Sequence, residues 1–129
     1  MVAAPVGKLV WIGRGLSILS SIAFLLSGVM KLKGGPDVLK GFDHLGLPES
    51  MMLPLAILEL SCVVVYLVSP TAALGAVLLT GYIGGAILTH WRVGDPFYVQ
   101  VVLGLLIWLG LYLREDRLRG LLPLRTPSR

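Results

Sequence analysis

Formal charge is absent from residues 15–30 and 96–113, and residues 50–89 carry a single one, Glu59. Between these apolar runs stand short polar breaks: residues 31–50, Ser69-Pro70-Thr71, and the turn Gly94-Asp95-Pro96. Crossing a hydrocarbon core takes roughly 20 apolar residues as a helix. The pattern therefore predicts four membrane-spanning helices at about residues 9–32, 51–69, 71–91 and 97–113, the first completed by letting Arg14 reach the headgroups along its stem. Pro54 falls in the first turn of the second span, where a missing N–H is tolerated. Pro70 ends that span in a connection so tight that the third must return antiparallel beside it.

The one substantial loop has its own pattern. Gly35-Pro36-Asp37 reads as a helix start, Val38, Leu39, Phe42 and Leu45 recur at helical spacing, and Gly46 with Pro48 reads as a stop. A short amphipathic helix of about ten residues on the outer surface follows, as an interfacial anchor or as a lid over the helix ends. The expected fold is all-α: an integral membrane four-helix bundle, one transmembrane domain over residues 1–129, with the amphipathic helix between the first and second spans.

Composition agrees, since the 129 residues are 56% hydrophobic and 14% charged against about 25% charged in soluble domains. The net charge of +4 does not point to nucleic acid, because the basic residues sit at the ends of apolar runs and in the tail. Four crossings put both termini on one side, with Lys8, Arg14, Arg114, Arg117, Arg119, Arg125 and Arg129, against Lys31, Lys33, Lys40 and Arg92 on the other. The excess of basic residues assigns both termini, including a tail over residues 114–129, to the cytoplasm. The N-terminal segment shows no small-residue cleavage pattern, so the first span is expected to stay in the mature chain.

Cys62 is the lone cysteine, so no dithiol couple or thiolate cage can be built within one chain. Nor does the chain hold a HExxH, a phosphate-binding glycine loop or a dinucleotide fingerprint, and the spans hold no carboxylate pair at dinuclear-metal spacing. No metal site and no intrinsic cofactor is expected. For packing, small residues at spacing four mark close contacts in lipid. Ala72, Ala76, Thr80 and Gly84 form one such row, and Gly81 with Gly85 an adjacent GxxxG. Gly81, Gly84 and Gly85 are thus the helix-packing candidates, within the bundle or in a homo-oligomer, while the first and fourth spans are expected to face more lipid.

Glu59 stands out chemically. It lies roughly 12 Å below the outer start of its span, and an ionised carboxylate at that depth needs a partner or a proton. Lys31, at the end of the first span, has the reach to supply one. The same end of the bundle receives His90, Arg92, Asp95 and Gln100, with Tyr82 about two turns below His90 as a hydroxyl on the floor. The binding candidates are therefore Lys31, Glu59, Tyr82, His90, Arg92, Asp95 and Gln100, with Glu59 the candidate catalytic group. Each has a plainer reading: Lys31 and Arg92 as snorkelling bases, His90 as an interfacial histidine, Asp95 as a turn residue, Glu59 as half of a structural ion pair.

Ser27-Gly28-Val29-Met30-Lys31-Leu32, then Phe42-Asp43-His44-Leu45-Gly46-Leu47-Pro48, then Leu58-Glu59-Leu60, then residues 75–86, and finally Trp108-Leu109-Gly110-Leu111-Tyr112-Leu113-Arg114, in this order, resemble the DoxX-like family of small four-helix bacterial membrane proteins. The resemblance implies a fold more than an activity. It implies residence in the bacterial inner membrane and association with membrane oxidoreductase systems, such as terminal quinol oxidase and thiosulfate:quinone oxidoreductase, with the redox cofactor supplied elsewhere. Only Lys31 and Glu59 carry over firmly as site residues, with Tyr82 and His90 behind them. More remotely, the plan is similar to that of sterol-isomerase and sigma-2-receptor-type proteins, whose embedded acids bind cationic ligands.

Three readings stay open at this point. One is an accessory or ligand-binding protein with an outer pocket around Glu59 for a quinone or other small lipophilic molecule, a form such sites commonly take. A second is an isomerase-type enzyme with Glu59 as general acid or base. The third is a purely structural subunit that docks a larger membrane complex in the bilayer by the glycine face of the third helix; the partners expected are the bilayer itself and membrane or membrane-associated oxidoreductase subunits.

Overall fold

A computed structural model describes residues 7–125. Six helices follow in order: α1 (Lys8–Lys33), α2 (Pro36–Leu45), α3 (Met52–Leu67), α4 (Ala72–Arg92), α5 (Tyr98–Arg114) and the short α6 (Asp116–Arg119). No strand occurs among the described residues. Single 3₁₀ turns, Glu49–Met51 and Ser69–Thr71, lead into α3 and α4. The segments Lys8–Lys33, Glu49–Leu67 and Ser69–Arg92 are each long and apolar enough to cross a membrane, and Tyr98–Arg114 is a shorter apolar helix of 17 residues.

The breaks are chemical. Gly34 and Gly35 take positive φ of 68° and 111°, ending α1, and Pro36 opens α2 with the fixed φ of a first-turn residue. Gly46 then closes α2 in the left-handed conformation, its N–H returning to Asp43. At the tight turn between α3 and α4 the Thr71 hydroxyl donates to the Val65 and Val68 carbonyls, satisfying groups a helix end leaves orphaned.

The long helices form a ring in which α1 packs on α3, α3 on α4, α4 on α5 and α5 on α1. The outer surface is apolar, unlike that of a water-soluble bundle. Ser17, Ser20, Ser21 and Glu59 are buried, while Leu19, Ile22 and Leu26 of the same first helix are 58%, 48% and 61% exposed. An outward apolar surface around an inward polar minority is what lipid as solvent selects.

Close backbone contacts fall elsewhere than the glycine pattern of α4 suggests. At the α1–α5 crossing a Cβ on Gly13 would stand 2.7 Å from the Gly110 carbonyl oxygen, and one on Gly110 would stand 2.6 Å from Ser17 Oγ. A Cβ on Gly75 would run into the backbone of Tyr66. At Gly81, Gly84 and Gly85 an added Cβ meets nothing within 4 Å. The expectation that these three pack the bundle is therefore corrected: they face open space, and Gly81 and Gly85 line a cavity. The first and fourth spans, expected to face more lipid, also make a close crossing with each other: α1 presents Gly13, Ser17, Ser20, Ser21 and Gly28 inward, and Gly13 and Ser17 meet Gly110 of α5.

The core occupies the half of the ring away from α2. Tyr66, Val63, Leu79, Ala76, Ile107 and Leu111 are almost fully buried there. The Tyr66 hydroxyl ties three helices together, donating to the Ile107 carbonyl at 2.7 Å and pairing with Ser17 Oγ at 2.9 Å. Buried polar groups in a bundle hold register only if satisfied, and this one is. The other half of the ring is hollow.

Candidate functional site

The hollow is a cavity of about 580 Å³, within the size range of small-molecule sites. Its walls come from all four long helices and from α2. Phe24, Leu55, Ile83 and Leu103 are among its apolar lining, and Lys31, Glu59, Tyr82, His90 and Gln100 among its polar lining.

At one pole stands Glu59, 2% exposed on α3. The Lys31 ammonium, one helix away, donates to its Oε2 at 2.9 Å. Lys31 also donates to Ser27 Oγ at 2.6 Å, and Ser27, one turn earlier on α1, donates to the same Glu59 oxygen at 3.2 Å. The Tyr82 hydroxyl of α4 donates to it as well, at 3.2 Å. One carboxylate oxygen thus gathers three donors from two neighbouring helices. This is the condition under which a charge survives at such depth: an opposite charge and hydrogen bonds on the same group. No hydrogen bond among the described residues reaches the other oxygen, Oε1.

His90 of α4 and Gln100 of α5 also line the cavity. His90 Nδ1 donates to the Ala86 carbonyl at 2.8 Å, because a carbonyl oxygen can only accept. The Gln100 amide nitrogen sits 3.5 Å from the same Nδ1, and its Oε1 is buried without a partner. Because that nitrogen already donates, the amide of Gln100 leaves hydrogen-bonding capacity unused on the cavity wall.

α2 roofs the cavity. Phe42, 6% exposed, together with Leu45 and Leu47, points into it. Arg92 donates to the Leu45 carbonyl, and His44 Nε2 pairs with both Asp95 carboxylate oxygens at 2.8 and 2.9 Å. Both contacts pin the end of α2 to the α4–α5 turn.

Of the residues singled out in the sequence, the fold brings Lys31, Glu59 and Tyr82 into one hydrogen-bonded group and sets His90 and Gln100 in the lining of the same cavity. Arg92 and Asp95 are not part of the lining; they fasten the roof. Ser27 was missed, although its position four before Lys31 puts both on one helix face. The sequence pattern marks Phe42 as the apolar side of an amphipathic helix, and the fold turns that side into the cavity. Among the described residues no group of histidine, cysteine, aspartate or glutamate is placed to hold a metal ion.

Comparison with known proteins gives one match and two blanks. The family model described as the DoxX-like family matches residues 15–111. No curated protein and no solved structure matches the chain.

Proposed function

The chain belongs to the DoxX-like family, and we propose that this membrane protein binds a small neutral lipophilic molecule, of quinone or quinol type, as an accessory component of a membrane oxidoreductase system. The reading places it in the bacterial inner membrane with both termini cytoplasmic and the cavity toward the outer face. The observation that carries it is the cavity of about 580 Å³ whose apolar walls end on a charge-compensated carboxylate.

Charge selects the ligand class. Lys31 already neutralises Glu59, so the site has no net charge to offer a cation, and a cationic ligand would compete with an ammonium 2.9 Å away. A neutral molecule meets no such penalty. Glu59 Oε1, which takes none of the hydrogen bonds on this carboxylate, and Gln100 Oε1, buried without a partner, favour a head group with hydroxyl donors. A quinol has two hydroxyls; the quinone has only acceptors. The same contacts make Glu59 a holding group more than a proton carrier, which is why binding is favoured over isomerase chemistry.

The test is ligand-dependent thermal stability of the purified chain in detergent. A short-tailed hydroquinone should stabilise it saturably, by about 2.7 kcal/mol at a hundredfold excess over Kd, and its dimethyl ether should do so less. Gly85→Leu fills the cavity at a position with open space around it, so it should keep basal stability and lose the ligand response. Equal stabilisation of the wild-type protein and Gly85→Leu would overturn the assignment of the cavity.

A further inference from the structure

The far end of the bundle holds a second, smaller cleft with the opposite character. It has a volume of about 70 Å³ and is lined by Arg14, Ser69, Ala72, Leu111, Arg114 and Glu115. Arg14 and Lys31 are 17 residues apart on α1, so the two sites are separated by roughly 26 Å along the bundle. Arg114 is the last residue of α5 and Ser69 begins the turn between α3 and α4. The cleft therefore lies where helices end and lipid headgroups begin.

Neither arginine is spent. Arg14 stacks on the Trp11 ring at 4.9 Å and Arg114 on the Tyr66 ring at 5.1 Å. Such stacking holds a guanidinium in place while leaving its in-plane donors free. Arg114 makes one long hydrogen bond, 3.4 Å to the Tyr66 carbonyl, and its buried Nε has no partner. Neither forms an ion pair among the described residues, although Glu115 shares the cleft. The Glu115 carboxylate instead accepts from the Arg117 backbone N–H at the start of α6. Two guanidinium groups thus share the cleft with one carboxylate, and a buried donor, Arg114 Nε, has no acceptor.

We propose that this cleft binds a phosphate group, held between Arg14 and Arg114 with the Ser69 hydroxyl beside them. Arginine matches phosphate because its fork presents parallel N–H donors to two oxygens, and basic pockets between membrane helices are suited to anionic lipid headgroups. A phosphodiester in the leaflet at this end would supply the missing acceptor for Arg114 Nε. It would also clamp α1, α5 and the α3–α4 turn together. Free phosphate offers the same chemistry from the aqueous side.

Native mass spectrometry and thermal unfolding of the full chain test this, with phosphatidylglycerol or phosphatidylcholine added to detergent micelles in one arm and inorganic phosphate in the other. Wild-type protein should retain one phosphatidylglycerol in preference to phosphatidylcholine, and Arg14→Gln should weaken that binding about fivefold. Arg114→Gln should do the same, while Arg14→Gln, which removes only an exposed group stacked on Trp11, keeps the test valid if Arg114→Gln folds poorly. Stabilisation by inorganic phosphate that depends on both arginines would assign the cleft to free phosphate; response to lipid alone would assign it to a headgroup. Equal lipid and phosphate binding by the wild-type protein and Arg14→Gln, or none by either, would overturn the proposal.

Discussion

Glu59 has one oxygen committed and one free, and the difference separates stability from binding. Oε2 takes Lys31, Ser27 and Tyr82, so the ion pair is part of what joins α1, α3 and α4. Lys31→Met should leave a buried carboxylate uncompensated and cost about 3–5 kcal/mol. Replacing both partners, Lys31→Met with Glu59→Leu, should recover most of that loss, because two apolar side chains carry no desolvation penalty. Thermal or detergent-induced unfolding of the two singles and the double measures the coupling. A Lys31→Met protein as stable as wild type would show that the pair compensates nothing. That a lone acid in an apolar run needs Lys31 was legible from charge and depth alone. The third donor layer was less so: Ser27 is one of many serines in α1, and only the tertiary approach of α3 distinguishes it from Ser20 or Ser21.

Among the elements, the helices and their ends were legible because Gly35, Pro36, Gly46 and Pro70 interrupt apolar runs with backbone constraints that act locally. Partner choice was not. Gly81, Gly84 and Gly85 resemble a contact face as closely as Gly13, Ser17 and Gly110 do, yet only the latter group is in contact, since which small-residue stripe is filled depends on where the neighbouring helices lie. This separates the α4 glycines by mutation. Gly75→Ala drives a methyl into the Tyr66 backbone and should destabilise by about 1–3 kcal/mol or more. Gly84→Ala meets nothing and should gain roughly 0.5–1 kcal/mol from helix propensity. Unfolding midpoints of the two variants check this directly, and a Gly84→Ala protein as damaged as Gly75→Ala would mean that the open face of α4 is covered by another chain. The roof helix belongs to the same scale: its boundaries were readable from Pro36 and Gly46, but its fastening by Arg92 and by the His44–Asp95 pair required residues some fifty positions apart to meet.

At the scale of the whole molecule the chain divides along its long axis. The half around Tyr66 is packed and hydrogen-bonded across three helices; the half under α2 is hollow and keeps its few polar groups turned inward. A membrane bundle gains little from a void, because the lining forfeits dispersion contacts that close packing would make. The void is intelligible if something fills it. A density map of the protein in lipid nanodiscs, prepared without added ligand and resolved to side chains, tests this most directly. The account predicts non-protein density beneath Phe42, within hydrogen-bonding distance of Glu59 Oε1 and extending toward Gln100. A cavity collapsed on its own side chains, or a Glu59 carboxylate turned outward to the acyl chains, would contradict it.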